Sequence, residues 1–212
     1  MRTLVLDTSG SFTTVLITED HQLSTSCILR DRPAEHLHEQ IHTSLENLCI
    51  TSQDLSRIAV VIGPGSWTGL NIGVTAAKTL AQILETPLIP IYTLDVLAAS
   101  CSKPSWVLMN AGRNQCYYAR YSTPDSQEMA VAPIDVVIQR ILTDSNSIHI
   151  LEYGDTFKER FTGNDTYFSM DRLPPEALIA AMKTSRSIEG VDIKSLTPAY
   201  LQPSHVEQDA CH

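Results

Sequence analysis

Ile58-Ala59-Val60-Val61-Ile62 runs without a polar break into Gly63-Pro64-Gly65-Ser66, and a second apolar stretch follows. A strand with one wet face alternates, so an unbroken apolar run reads as a strand covered on both faces. Glycine and proline then turn the chain, and Ser66 stands where it can cap a helix from Trp67 to about Leu84. Strand, turn and helix in that order predict an α/β fold whose sheet is at least partly parallel.

The same reading extends along the chain. Leu4–Leu6, Thr13–Thr18 and Leu23–Leu29 read as strands separated by Ser9-Gly10-Ser11 and Glu19-Asp20, a meander rather than a pure βαβ chain. Pro33 and Glu35 suit the first turn of a helix over 34–49, with Leu37, Ile41, Leu45 and Leu48 on one face. A strand at Leu88–Tyr92 and a helix at Leu94–Ala99 follow. Past Cys101-Ser102-Lys103-Pro104 the rhythm restarts: strands at Trp106–Met109, Cys116–Tyr121 and Ile148–Leu151, helices at Asp135–Leu142 and Pro175–Met182. We therefore expect two lobes, 1–102 and 103–212, with the last residues frayed. The halves echo each other only loosely.

Helix 67–84 is the most informative segment. Gly69, Gly73, Ala77 and Ala81 recur every four residues as a stripe with almost no side chain; Ile72, Ala76, Leu80 and Ile83 form a neighbouring apolar stripe. Two apolar faces need two covers. A sheet supplies one, and small residues every four positions let another helix approach closely. Whether that helix is the chain's own or a partner's is left open by the sequence.

Other patterns bear on chemistry. Asp7-Thr8-Ser9 at the end of the first strand is similar to the phosphate-facing turn of actin-like ATPases and sugar kinases, although aspartate at a strand end is also ordinary turn chemistry. Gly63-Pro64-Gly65-Ser66 meets a helix N-terminus, where an anion could sit, but no Gly-Lys-Ser/Thr follows it, and a tight turn is the plainer reading. His38-Glu39-Gln40-Ile41-His42 matches HExxH, which on a helix could bind zinc with Glu39 as base. No third ligand follows, and both histidines fall opposite the apolar face. A serine hydrolase is unsupported, since GxSxG is absent.

Composition narrows the partners. Fifteen basic against 24 acidic residues give a net charge of −9, and the basic residues are scattered. Phosphate backbones are repelled by such a surface, so direct tRNA binding is not expected. Five cysteines without a CxxC pair suggest reduced thiols, and no segment has the length to span a bilayer; a cytoplasmic protein is expected.

Together these motifs resemble the TsaB family. The resemblance rests on Leu4–Ser9, on Arg32–Glu39, and above all on Ile62-Gly63-Pro64-Gly65-Ser66-Trp67-Thr68-Gly69-Leu70-Asn71-Ile72-Gly73. Pro90–Leu94, Asn110–Tyr117, Tyr153-Gly154-Asp155 and Pro198-Ala199-Tyr200-Leu201 extend it, loosely between 122 and 195. Trp67 stands where phenylalanine is usual, Asn71 and Gln202 where arginines are, Asn110 where an aspartate is, and His42 where proline is common. The resemblance implies an actin-like ATPase (ASKHA) fold of two related lobes, mixed sheets flanked by helices, and no cofactor, metal or catalytic set. It implies a non-catalytic subunit that pairs with TsaD through helices 34–49 and 67–84 for threonylcarbamoylation of adenosine in tRNA. The ATPase TsaE joins through the complex, and the chain alone could form a homodimer. The partner-binding residues so implied are Leu37, Ile41, Trp67, Gly69, Ile72, Gly73, Ala76 and Ala77, with Asp7, Thr8 and Ser9 a degenerate phosphate turn. The alternatives from another class are an actin-fold small-molecule kinase and an HExxH zinc hydrolase.

Overall fold

The computed structural model describes every residue except 31, 32, 103, 123–128, 145–148, 163, 165, 186 and 202–212, and for 33–35 the backbone only. Arg32, Lys103, Ile148, Gln202 and Cys211 thus lie outside the described residues.

The first sheet holds β1 (Arg2–Asp7), β2 (Phe12–Glu19), β3 (Gln22–Arg30), β4 (Arg57–Gly63) and β5 (Leu88–Tyr92) in the order β3-β2-β1-β4-β5. β1, β2 and β3 pair antiparallel as a meander, whereas β1, β4 and β5 run parallel. Helices α1 (Pro33–Asn47) and α2 (Trp67–Leu84) make the crossovers, and α3 (Thr93–Ala99) leads out of β5. α1 stops two residues short of the expected end at 49, and Cys49 then takes a left-handed conformation at φ 53°.

The second sheet repeats this plan. It holds β6 (Ser105–Gly112), β7 (Gln115–Tyr121), β8 (Ala130–Pro133), β9 (His149–Tyr153) and β10 (Tyr167–Met170), with α4 (Ile134–Thr143) between β8 and β9. Read from the β8 edge, its order is β8-β7-β6-β9-β10, and again the first three strands are antiparallel and the last three parallel. The two lobes are one topology used twice, a closer kinship than their sequences suggest. β8 and β10 are four residues each, too short for alternation to stand out, and were not expected.

Alternation across β1 and β4 explains the apolar run at 58–62. Leu4, Leu6, Ile58, Val60 and Ile62 face one core with Leu37, Ile41 and Leu45 of α1 and Val74, Ala77 and Ala81 of α2. Val5, Ala59 and Val61 face a second core that contains Val107 and Leu151 of the other sheet. That second core also takes α3 and α5 (Pro175–Lys183), so the space between the lobes is filled with side chains.

The boundary we propose at Ser102 falls between α3 and β6. The last described stretch departs from the division into 1–102 and 103–212, because it returns to the first lobe. Val191 N donates to Leu88 O at 2.9 Å and Ala199 N to Ile62 O at 2.7 Å. Lys78 Nζ donates to Leu196 O at 2.8 Å. Among the described residues no helix is long and apolar enough to cross a membrane.

Candidate functional site

β1 ends at Asp7 inside the junction of the two lobes, and the turn after it is closed on itself. Asp7 Oδ1 accepts from Ser9 N at 2.9 Å and from Ser9 Oγ at 2.7 Å. Asp7, Thr8 and Ser9 are all buried. Burial raises the Asp7 carboxyl above its ordinary value, against the pull of the two Ser9 donors. Thr8 Oγ1 donates to Gly69 O at 2.7 Å, and Ser66 N donates to Ser9 O at 2.7 Å. Thr8 Oγ1, Ser9 N, Ser9 Oγ and Ser66 N are thus all engaged within the chain.

These bonds account for the glycines. A Cβ on Gly65 would lie 2.5 Å from Ser9 O, one on Gly69 2.0 Å from Thr8 O, and one on Gly73 2.2 Å from Thr8 Oγ1. The start of α2 lies directly against the β1 turn, and only glycine permits that approach. Ser66 caps α2 as expected, its Oγ accepting from Gly69 N at 3.3 Å. The 63–66 segment is therefore a tight turn whose Ser66 engages the N–H of Gly69, the third residue of α2.

The second lobe closes the turn from the other side. Tyr153, at the end of β9, is buried, and a Cβ on Gly10 would lie 1.8 Å from its hydroxyl oxygen. Burial, and then the nearby Asp7 charge, pushes that hydroxyl's pKa up. Tyr153 was noted in the sequence only as part of a motif; the contact that matters joins residues more than a hundred positions apart, which no local pattern reveals.

The expected partner-binding residues divide into two groups. Leu37, Ile41, Gly69, Gly73 and Ala77 are buried within the first lobe, so the small-residue stripe is covered by the chain's own β1 turn and sheet. Their placement on a docking surface is corrected accordingly. Ile72 and Ala76 are half-buried and Trp67 is 56% exposed. Ile72, Ala76, Leu80 and Ile83 lie within roughly 80° of arc at 3.6 residues per turn. Ile83 is 71% exposed, whereas Ile72, Ala76 and Leu80 are partly buried against the first-lobe core, so this neighbouring stripe reaches the surface along one edge.

Trp67 has an intramolecular task. Its ring stacks on Tyr200 at 4.1 Å between centroids and 22° between planes. Tyr200 Oη donates to Asn71 Oδ1 at 3.0 Å, and Asn71 Nδ2 donates to Trp67 O at 2.9 Å. Asn71 thus holds the returning C-terminal stretch by neutral hydrogen bonds where an arginine was expected.

On α1, His38, Glu39 and His42 are exposed, and His42 Nε2 lies 3.3 Å from Glu46 Oε1. Among the described residues no three His, Cys, Asp or Glu side chains gather to hold a metal ion. Arg120, in the second lobe, pairs with Asp144 at 2.5 Å.

The family model described as TsaD: tRNA N6-adenosine threonylcarbamoyltransferase matches residues 30–187. The chain belongs to this family. Within it the chain stands with the TsaB proteins. The tRNA threonylcarbamoyladenosine biosynthesis protein TsaB of Bacillus subtilis (strain 168) is 29% identical over 190 residues, 79% of this chain and 78% of that protein. The structure of YeaZ from Pseudomonas aeruginosa superposes with a TM-score of 0.77 at 22% identity, covering 94% of this chain and 99% of that one. The activator of 2-hydroxyisocaproyl-CoA dehydratase from Clostridium difficile, solved with bound ADPNP, gives 0.51 at 8% identity over 85% and 92% of the two chains. The fold is the actin-like ATPase fold. In this chain the β1 turn is covered by Tyr153 and by the start of α2.

Proposed function

We propose that this chain is a non-catalytic subunit of the machinery that makes threonylcarbamoyladenosine on tRNA, and that it acts by pairing with the threonylcarbamoyltransferase TsaD. The observation that carries this reading is the closed β1 turn. Asp7, Thr8 and Ser9 are buried; Asp7 Oδ1 is bonded to Ser9, Thr8 Oγ1 to Gly69 O, and Ser9 O to Ser66 N. A kinase or ATPase of this fold needs that turn open to phosphate. The names of the relatives supply the pathway, and the apolar row on α2 supplies a contact surface. TsaE would join only through the assembled complex.

Ile72, Ala76, Leu80 and Ile83 are the docking row. Ile72→Glu and Ile83→Glu each put a charge into a surface that must lose water on pairing. Each should weaken co-purification with TsaD from the same organism at least about tenfold, a loss of about 1.4 kcal/mol. The melting temperature should stay unchanged for Ile83→Glu, whose side chain is largely in solvent. Undiminished binding by both variants would remove α2 as the surface.

The isolated chain should not retain tRNA in a gel shift at moderate salt, because a net charge of −9 opposes the counterion release that drives such binding. Retention should appear once TsaD is added. Micromolar binding by the chain alone, weakening steeply with salt, would mean that it touches the RNA itself.

A further inference from the structure

On β6 and β7 successive residues serve different cores. Val107 and Ala119 turn towards the core between the lobes, whereas Trp106, Leu108 and Tyr118 lie on the opposite face of the second sheet with Ile134 and Val137 of α4. Between the C-terminal half of α4 and that outer face lies a cleft of about 400 Å³, lined by Trp106, Tyr118, Arg120, Ala130 and Arg140. Clefts of roughly 300–1,000 Å³ are the size that takes small molecules. The strand register assembles the floor, since Trp106 stands opposite Arg120 and Tyr118 opposite Ala130.

The walls are fixed from within the chain. Asp144, the residue after α4, accepts from Trp106 Nε1 at 3.1 Å, from Arg120 Nε at 2.5 Å and from Arg120 Nη2 at 3.3 Å. The buried rings of Trp106 and Tyr118 lie 6.0 Å apart at 31°. Arg140, exposed in the last turn of α4, donates to Tyr118 Oη and holds its guanidinium 5.5 Å from that ring. An arginine in a last turn suits the negative end of a helix, and that alone would place Arg140. It leaves unexplained why a second guanidinium and two aromatic rings line the same opening.

We propose that this cleft binds a small aromatic anion, a ring that carries a phosphate or a carboxylate. The lining residues include two arginines and no acid, although the whole chain carries −9. Asp144 occupies one edge of the Arg120 guanidinium, and Arg140 forms no ion pair among the described residues. Guanidinium N–H groups therefore remain for an oxyanion, whose paired oxygens match their fork. Trp106 and Tyr118 supply flat apolar walls, and contacts with rings and with cations favour a planar aromatic ligand over an aliphatic one. The cleft is on the outer face of the second sheet, so it is separate from the β1 turn and from the α2 row.

Tryptophan fluorescence of the full chain tests the proposal. The sequence has two tryptophans, Trp67 and Trp106, so Trp67→Phe leaves Trp106 as the sole reporter and keeps a ring against Tyr200. In that background phenyl phosphate and benzoate are titrated separately, with benzyl alcohol as the neutral control. At least one anion should change the Trp106 emission with a Kd of about 1 mM or tighter, and the tighter of the two distinguishes phosphate from carboxylate. Benzyl alcohol should bind at least about tenfold more weakly, because it brings no charge to the guanidinium groups. Arg140→Ala should weaken the anion about tenfold. Ala130→Phe fills the cleft and should abolish binding. Circular dichroism melts check both folds, and the exposed Arg140 keeps the test decisive should Ala130→Phe not fold. Emission that neither anion changes overturns the proposal. So does binding as tight for benzyl alcohol as for the anions, or anion binding that Arg140→Ala or a folded Ala130→Phe leaves unchanged.

Discussion

Replacing Gly69 with alanine should lower the melting temperature by about 6–12 °C, the equivalent of about 3 kcal/mol in a chain of this size. Helix propensity alone argues the opposite, since alanine is better than glycine in a helix interior by about 1 kcal/mol. Contact geometry decides the sign. The added methyl would stand 2.0 Å from the carbonyl oxygen of Thr8, a backbone atom fixed by its place at the end of a central strand. Either α2 moves away from β1 or the turn distorts, and both loosen the core that holds Leu4, Leu6 and Val74. Gly73→Ala should cost less, because its methyl meets the side chain of Thr8, which can rotate at the expense of its bond to Gly69 O. A thermal melt of Gly69→Ala that equals or exceeds the wild type would mean that the helix does not press on the turn.

The same glycines mark the limit of what the sequence discloses. The two-sided burial of β4 was legible because the residues from 58 to 62 are all apolar and both faces of that strand are covered. α2 was legible to the residue, since Ser66 caps it and the apolar period persists to Leu84. The Gly69, Gly73, Ala77 and Ala81 stripe was read as a place where another helix approaches closely, but at Gly69 and Gly73 the close neighbour is the turn after β1. What approaches it is Thr8, about sixty residues earlier, and spacing along a helix says nothing about which element covers which face. The small stripe therefore lies inside, and the apolar stripe beside it is partly buried against the first-lobe core with Ile83 exposed. Leu37 and Ile41 moved inward for a related reason, since the apolar face of α1 is consumed by its own sheet. The histidines of His38-Glu39-Gln40-Ile41-His42 fell on the solvent side as their spacing required. The covering of the β1 turn could not be read, because it depends on the start of α2 about sixty residues on and on a tyrosine of the other lobe.

That tyrosine allows a sharper test than Gly69 does. A methyl at Gly10 would stand 1.8 Å from the Tyr153 hydroxyl oxygen, 2.6 Å from the carbon that bears it and 3.0 Å from a ring carbon. Unlike the Gly69 contact, this one is with a side chain, so a second substitution can relieve it. Gly10→Ala alone should destabilise by about 1–3 kcal/mol, the usual range for overpacking a filled site. Tyr153→Ala alone should destabilise by about 3–5 kcal/mol, because a large aromatic leaves the core shared by the two lobes. Made together, the two changes should cost little more than Tyr153→Ala by itself. The coupling energy, about 1–3 kcal/mol, then measures how firmly the second lobe presses on the β1 turn. Urea unfolding of the four proteins in the cycle gives this number directly. Simple additivity would mean that Tyr153 does not bear on Gly10, and the turn would then be held shut by α2 alone. A strong coupling would mean that the first and second lobes are locked together at the β1 turn, through Tyr153 and Gly10.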